Sequence, residues 1–206
     1  GFASSILWSF QNGLDSFGGD HGMTARNSSE LSDHSPRPVY YIYHFLQQFM
    51  GDKMVWSYSN DSTVKSYVST FSSGSDALGL ILVNNSSNNK VVEIDSGAVG
   101  FKHNFYWYEV YANNETDKKI FVNGQTSNFN EGGPDNYTSI PAYYREVNSN
   151  YKFELKPYSV NFIANTDYLL GQDNLEVDSD LIIYPNPFND FISIKSNNYI
   201  SDITIY

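Results

Sequence analysis

The chain has 206 residues and no cysteine, which excludes a disulfide framework and a thiolate metal site. Its formal net charge of −11 disfavours nucleic acid and anionic membrane surfaces as partners, because both are negatively charged. No apolar run reaches the length of about eighteen residues that a membrane span needs. Aromatic residues make up 17% of the chain, and Asn, Ser, Gly and Thr are frequent, which favours many short strands joined by polar turns.

A short apolar run lies near the start of the chain, and a polar segment follows it. Residues 4–10 have the nearly continuous apolar pattern of a strand that is covered on both faces, as in a parallel sheet. Residues 11–35 are polar and rich in glycine, and we expect a long loop without regular structure there. Loops of this length are usually functional, so the pattern places Asp15, Asp20 and His21 near a site if the strand belongs to an α/β barrel.

Residues 38–50 are predicted to form a helix. The two prolines of Pro36-Arg37-Pro38 favour a helix start, and Gly51 favours a stop. Apolar side chains recur at the three- and four-residue spacing of a buried helix face, at Val39, Ile42, Tyr43, Leu46, Phe49 and Met50. We expect the part of this face formed by Ile42, Leu46 and Phe49 to pack partly against the strands that follow.

Regularly spaced strands are predicted after the helix, at residues 54–58, 64–71, 78–84, 90–94, 105–111, 119–122 and 151–163, the last broken at Pro157. Polar residues separate these segments, a pattern typical of an antiparallel β-sandwich. Residues 78–84 are the most apolar and are expected to be central. The run from Tyr106 to Tyr111 has aromatic side chains on both faces, which predicts that both faces are covered.

An acidic segment, residues 167–180, is predicted to be a linker, and a new β unit follows it. Two prolines bracket Asn186 and require a stiff, extended turn between alternating segments. We expect residues 181–206 to begin a second small β-sandwich. Because the chain starts at Gly1 and stops at Tyr206 within an alternating apolar run, we also expect it to be part of a longer protein.

The passage Tyr184-Pro185-Asn186-Pro187-Phe188, followed by Phe191-Ile192-Ser193-Ile194, resembles the opening of the C-terminal sorting domain of type IX secretion. The resemblance implies a protein of the Bacteroidota type that is secreted or held at the cell surface. It also implies the type IX secretion machinery as a partner.

Two further resemblances concern the rest of the chain. Ile6 to Phe10, Pro36 to Tyr41 and Tyr158 to Val160 resemble the end of a barrel-clan glycoside hydrolase with an attached β-sandwich. Passages within the predicted sandwich look most like the β-agarase and β-porphyranase family, glycoside hydrolase family 86: Tyr106-Trp107-Tyr108, Phe121-Val122-Asn123-Gly124 and Gly132-Gly133-Pro134-Asp135-Asn136-Tyr137.

These resemblances imply a mainly β fold. Residues 1–52 would be the last β/α unit of a (β/α)8 barrel, and residues 53–166 an antiparallel β-sandwich. After the linker, residues 181–206 would be a truncated sorting domain. A polysaccharide is the implied substrate, and no cofactor or metal is expected.

The implied chemistry is retaining glycoside hydrolysis, which needs two carboxylates about 5 Å apart. In the family both are glutamates that precede the last strand, so we assign no catalytic residue to this chain. Trp8 is expected to stack on a sugar ring, since the resemblance places it in the last barrel strand. Gln11, Asn12, Asp20 and His21 are expected to bind sugar hydroxyl groups, or in the case of His21 a sulfate group, although turn or surface roles remain open for all four.

Three functional hypotheses are kept. The first is the C-terminal part of a secreted, endo-acting hydrolase of agarose or porphyran. The second is a non-catalytic carbohydrate-binding or adhesion β-sandwich, which Trp56 and Trp107 would suit, although core packing is the commoner role of such residues. The third is a hydrolase of the same clan acting on another glycan, such as xylan.

Overall fold

A computed structural model describes residues 11–13, 22–26, 31–72, 77–95, 101–146, 151–167, 181–184 and 193–196. The chain divides into two compact units, Gly1–Tyr168 and Leu169–Tyr206. The described part of the first unit is mainly β, as predicted. Its elements are β1 (Gln11–Gly13), β2 (Thr24–Arg26), α1 (Pro38–Phe49), β3 (Lys53–Val55), β4 (Val64–Thr70), β5 (Leu78–Asn84), β6 (Lys90–Ile94), β7 (Asn104–Ala112), β8 (Ile120–Val122), a 3₁₀ turn (Tyr137–Ser139), β9 (Tyr143–Glu146), β10 (Tyr151–Leu155) and β11 (Ser159–Thr166).

The segment predicted to be a long loop contains two short strands. β1 and β2 pair in parallel, with Gln11 opposite Thr24 and Gly13 opposite Arg26. The prediction of no regular structure across residues 11–35 is therefore wrong at these positions. Strands of three residues are too short to show an alternating apolar pattern, which is why the sequence gives no signal for them. The predicted strand at residues 4–10 lies outside the described residues.

The predicted helix is confirmed, and it ends one residue earlier than expected. α1 begins with Pro38, and the Met50 backbone N–H closes its last turn by donating to the Leu46 carbonyl at 2.9 Å. Tyr41, Phe45 and Phe49 are buried along one face. The prediction that Met50 belongs to the buried face is wrong, because its backbone is already extended and the residue is 38% exposed.

The strands after the helix form a seven-stranded sheet and a separate two-stranded ribbon. The sheet order is β3-β4-β5-β11-β7-β8, with β9 pairing to the same strand β7, and every pairing is antiparallel. β5 lies inside the sheet between β4 and β11, as predicted. The ribbon joins β6 and β10. β9 was not predicted, and β3 is shorter than expected.

Each face of the seven-stranded sheet carries its own apolar core. On one face, α1 packs Phe45 and Phe49 against Ile81 and Phe162, with Ile42 and Leu46 partly buried beside them, as predicted. On the other face, the β6–β10 ribbon contributes to a second core of buried residues: Val64, Leu78, Leu80, Leu82, Phe105, Tyr151, Phe153, Leu155 and Ile163. The sheet is thus the middle layer between a helix and a ribbon. The prediction that both faces of β7 are covered is confirmed on the α1 side, and on the ribbon side at Phe105 and in part at Trp107.

In the second unit, β12 (Leu181–Tyr184) pairs antiparallel with β13 (Ser193–Ser196). These two strands lie where the sequence predicts alternating strands on either side of the proline-rich turn. Among the helices of the described residues, none has the length and apolar character to cross a membrane.

Candidate functional site

The residues predicted to contact substrate are Trp8, Gln11, Asn12, Asp20 and His21. Gln11 and Asn12 are in β1, at the positions that pair with β2, and not in a loop as expected. Trp8, Asp20 and His21 lie outside the described residues. The substrate-binding role of all five stays a prediction.

A different part of the first unit contains a cleft of about 570 Å³, which we call the β7 cleft. It opens between β7 and the end of β10, with β9 on one side. Its lining residues are Asn89, Trp107, Glu109, Tyr111, Ala112, Asn113, Tyr143, Glu154, Lys156 and Pro157. The volume falls within the range of about 300–1,000 Å³ that small-molecule sites occupy.

Strand alternation brings three of these side chains onto one face. Trp107, Glu109 and Tyr111 are two residues apart along β7, and successive side chains of a strand point to opposite faces. Trp107 packs against the ribbon-side core, since its ring contacts the Phe153 ring edge-on at a centroid distance of 5.4 Å. It therefore belongs partly to the ribbon-side core and partly to the cleft.

Asn123 fixes the β7 backbone at the centre of the cleft. Its side-chain oxygen accepts from the Glu109 backbone N–H at 2.8 Å, and its own N–H donates to the Glu109 carbonyl at 2.9 Å. Its side-chain amide also donates to the Pro141 carbonyl at 2.9 Å. Asn123 and Gly124 have φ values of 47° and 81°, the pair of left-handed residues that a tight hairpin turn requires. This turn therefore bridges the gap between β8 and β9 on the edge of β7.

An ion pair between a partly exposed lysine and a buried glutamate lies in the cleft. Lys156 Nζ is 2.9 Å from Glu109 Oε2, and the two side chains are 41% and 8% exposed. The same Nζ lies 3.8 Å from the centroid of the Tyr111 ring, which stacks on Phe121 at 4.9 Å. Burial alone would lower the pKa of Lys156, but the hydrogen bond and charge of Glu109, with a contribution from Tyr111, raise it above its ordinary value. Lys156 therefore keeps its positive charge at neutral pH.

Aromatic rings line the cleft beside this pair. Tyr143 of β9 pairs with Trp107 of β7 across the strands, and their ring centroids are 5.5 Å apart. Tyr143 is 39% exposed, so part of its ring is open to a ligand. Burial and the negative charge of Glu109 raise the pKa of the Tyr143 hydroxyl, which keeps it protonated and able to donate.

The arrangement suits non-covalent binding of a ligand that has both apolar faces and hydroxyl groups. Flat rings offer apolar contact, while the carboxylates, ammonium and amides offer directed hydrogen bonds. Within the described ranges, no group of three or more His, Asp or Glu side chains is placed to hold a metal ion.

A second exposed aromatic feature lies just after β3. Trp56 is 82% exposed and Tyr58 is 73% exposed, with ring centroids 5.1 Å apart. The core-packing interpretation of Trp56 is therefore wrong. Trp56 follows an edge strand, and in the described part of the chain neither core cluster includes it.

Sequence reasoning missed the charged residues of the cleft. Glu109 and Lys156 are far apart in sequence, and no motif spacing connects them. One local signal was available, because a glutamate within the aromatic run of β7 needs a buried partner or an opening to solvent. That signal marks the position of Glu109 without identifying Lys156.

No protein-family model matches the chain, and no curated protein matches it. Several solved structures are similar to part of it. An arabinose-bound α-L-arabinofuranosidase of glycoside hydrolase family 51 is 13% identical, with a TM-score of 0.48, over 70% of this chain and 21% of that one. The α-L-arabinofuranosidase of Thermotoga maritima is 14% identical, with a TM-score of 0.45, over 70% and 31%.

A family 30 endoxylanase from Clostridium papyrosolvens is 10% identical, with a TM-score of 0.42, over 63% of this chain and 28% of that one. All three of these structures are glycoside hydrolases. The similar region spans less than a third of the length of each of them.

Proposed function

We propose that this chain is the C-terminal part of a secreted, endo-acting glycoside hydrolase that degrades a marine galactan, agarose or porphyran, with retention of configuration. The observation that carries the proposal is that two passages resembling such enzymes contribute to one apolar core. Tyr41, at the end of the Pro36 to Tyr41 passage, and Val160, in the Tyr158 to Val160 passage, contribute to the same apolar core. Two resembling passages that are far apart in sequence are thus joined through one core.

A third resembling passage packs on the same helix. The Tyr41 hydroxyl donates to the Pro134 carbonyl at 3.2 Å, and the Tyr137 ring lies 5.2 Å from the Tyr41 ring. A Cβ on Gly133 would lie 2.8 Å from Tyr41 Cζ, so only glycine allows this close approach. The passage from Gly132 to Tyr137 therefore packs directly against α1.

In the proposed enzyme, the β/α segment closes the barrel and the seven-stranded sheet braces it through α1. Trp8 stacks on a sugar ring, and Gln11, Asn12, Asp20 and His21 bind hydroxyl groups. The two catalytic glutamates lie upstream of this chain. They form and hydrolyse a covalent glycosyl intermediate by double displacement.

Export by the type IX route belongs to the same proposal. The motif from Tyr184 to Phe188 begins at the last residue of β12, and Ser193 and Ile194 begin β13. The paired strands are compatible with the opening of a sorting domain. Deletion of residues 181–206 in the natural host is expected to retain the protein inside the cell, as measured by immunoblot of cells and medium. Unchanged export of the deleted form would contradict this part.

Product analysis of the full-length gene product tests the enzyme proposal. We expect oligosaccharides to be released from agarose or porphyran, and no release from xylan. Release from xylan alone would favour a hydrolase of the same clan with another substrate. The absence of products from all three glycans would favour the non-catalytic carbohydrate-binding alternative, which the aromatic lining of the β7 cleft supports.

A further inference from the structure

We infer that the β7 cleft binds an uncharged saccharide segment. The inference goes beyond the proposed function, because binding in this cleft requires no bond cleavage. It rests on the described side chains of β7, β9 and the end of β10.

The aromatic side chains supply the apolar part of the site. Trp107 is held by Phe153 on its core side and lines the cleft with its remaining surface. Tyr143 lies 5.5 Å from it and is partly exposed, and Tyr111 is fixed by stacking on Phe121. Tyr111 contributes only its edge, because Phe121 and the Lys156 ammonium lie against its ring. Because Trp107 and Tyr143 contact each other before a ligand arrives, little side-chain freedom is lost when the CH face of a sugar stacks on them.

The polar side chains supply directed hydrogen bonds. Glu109 uses Oε2 to accept from Lys156, and within the described residues no hydrogen bond engages its other oxygen, Oε1. That oxygen can accept from a sugar hydroxyl. At the rim, the Asn89 side-chain amide donates to Glu154 Oε1 at 3.5 Å. These two residues add an amide and a carboxylate to the lining. Buried or linked polar groups of this kind fix the orientation of a ligand.

The charge of the cleft selects among saccharides. Its lining contains two carboxylates, Glu109 and Glu154, against one ammonium, Lys156. The Lys156 charge is already satisfied by Glu109 and by the Tyr111 ring. A sulfated or carboxylated sugar would meet a net negative lining, and like charges at close range disfavour binding. The ligand is therefore a neutral glycan.

Calorimetric titration of the full chain tests the inference, with a neutral agarose-derived hexasaccharide, xylohexaose and a sulfated porphyran hexasaccharide as probes. We expect a neutral hexasaccharide to bind and the sulfated one to bind more weakly. Tyr143→Ala should weaken binding by about tenfold, the scale of one aromatic contact. Tyr144→Ala is the matched control, because the neighbouring side chain on β9 is 48% exposed and does not line the cleft.

Glu109→Gln keeps the shape of the side chain and removes one negative charge. It should improve binding of the sulfated hexasaccharide relative to the neutral one by about threefold. Thermal unfolding of each variant verifies that it is folded. The inference is overturned if no hexasaccharide binds, if the sulfated one binds best, or if Tyr143→Ala and Tyr144→Ala have equal effects. Because binding is measured without hydrolysis, failure here leaves the product analysis of the full-length protein as an independent test.

Discussion

The two faces of the seven-stranded sheet are covered in different ways. On one face, α1 places Tyr41, Phe45 and Phe49 over the sheet and closes it with an apolar core. On the other face, the β6–β10 ribbon covers Phe105 and its neighbours, and the β7 cleft opens beside the end of β10. Beyond that end, β7 presents Glu109 rather than an apolar residue. The difference shows that the extent of the covering element decides where the sheet is closed and where a cleft remains.

The largest effect on stability is expected from a substitution in the apolar core beneath α1, the closed face of the sheet. Phe45 is 1% exposed and its ring lies within 5.4 Å of the Tyr108 and Phe162 rings. Phe45→Ala should lower the free energy of unfolding by about 3–5 kcal/mol, because it removes a buried ring and leaves a cavity. Gln47→Ala, at an exposed position of α1, is the control and should change stability by less than about 0.5 kcal/mol. Urea titration measures both, and equal costs would contradict the assignment of this face as the closed core.

A smaller effect on stability is expected from a substitution in the β7 cleft. Lys156→Met removes the cation from Glu109, whose side chain is 8% exposed, while Lys156 itself is 41% exposed. Loss of a partner from a fully buried pair costs about 3–5 kcal/mol. Exposure of the lysine to water reduces this, and we expect a loss of about 1–2 kcal/mol.

Lys152→Met is the matched control for this change. Lys152 and Glu93 form a pair on the ribbon with side chains that are 64% and 50% exposed. Its removal should cost less than about 0.5 kcal/mol. The comparison by urea titration would contradict our description of the cleft if the two lysine variants were equally stable.

The smallest expected effect is the response of the closed face to pH. His44 of α1 lies 4.9 Å from the Tyr137 ring, and burial lowers the pKa of its imidazole. The native state therefore favours the neutral ring, whereas the unfolded chain titrates near about pH 6.5. Stability should be complete above that pH and should fall as the pH drops through the lower pKa of the folded state.

Thermal unfolding between about pH 7 and pH 5 measures this response. His44→Gln should remove most of the decline, since it removes the group that binds the proton. His103→Gln is the control, because the His103 side chain is 72% exposed. If the decline in stability persists in His44→Gln and disappears in His103→Gln, its source is the exposed His103 and not His44 of α1.

Much of the fold could be predicted because its signals are local. The bounds of β5 and β6 were predicted to the residue, since apolar runs there end at clusters of Asn and Ser. The break at Pro157 correctly separated β10 from β11. β9 was missed because all its residues, Tyr143–Glu146, are exposed, so no buried face produces an alternating pattern.

The cleft could not be predicted because its residues meet only through the sheet topology. Glu109 comes from β7, Lys156 follows β10, and Tyr143 belongs to a strand without a pattern of its own. Their approach depends on β9 pairing with β7 and on the ribbon lying over the sheet. The sequence predicted substrate contacts at other positions, and only the fold shows which side chains share this cleft.

The most direct test of the proposed function is proton NMR of the first products that the full-length protein releases from agarose and porphyran. A retaining mechanism predicts that the newly formed reducing ends initially have the anomeric configuration of the cleaved bond and later mutarotate. Initial products of the opposite configuration, or no release of reducing ends from either galactan, would contradict the account.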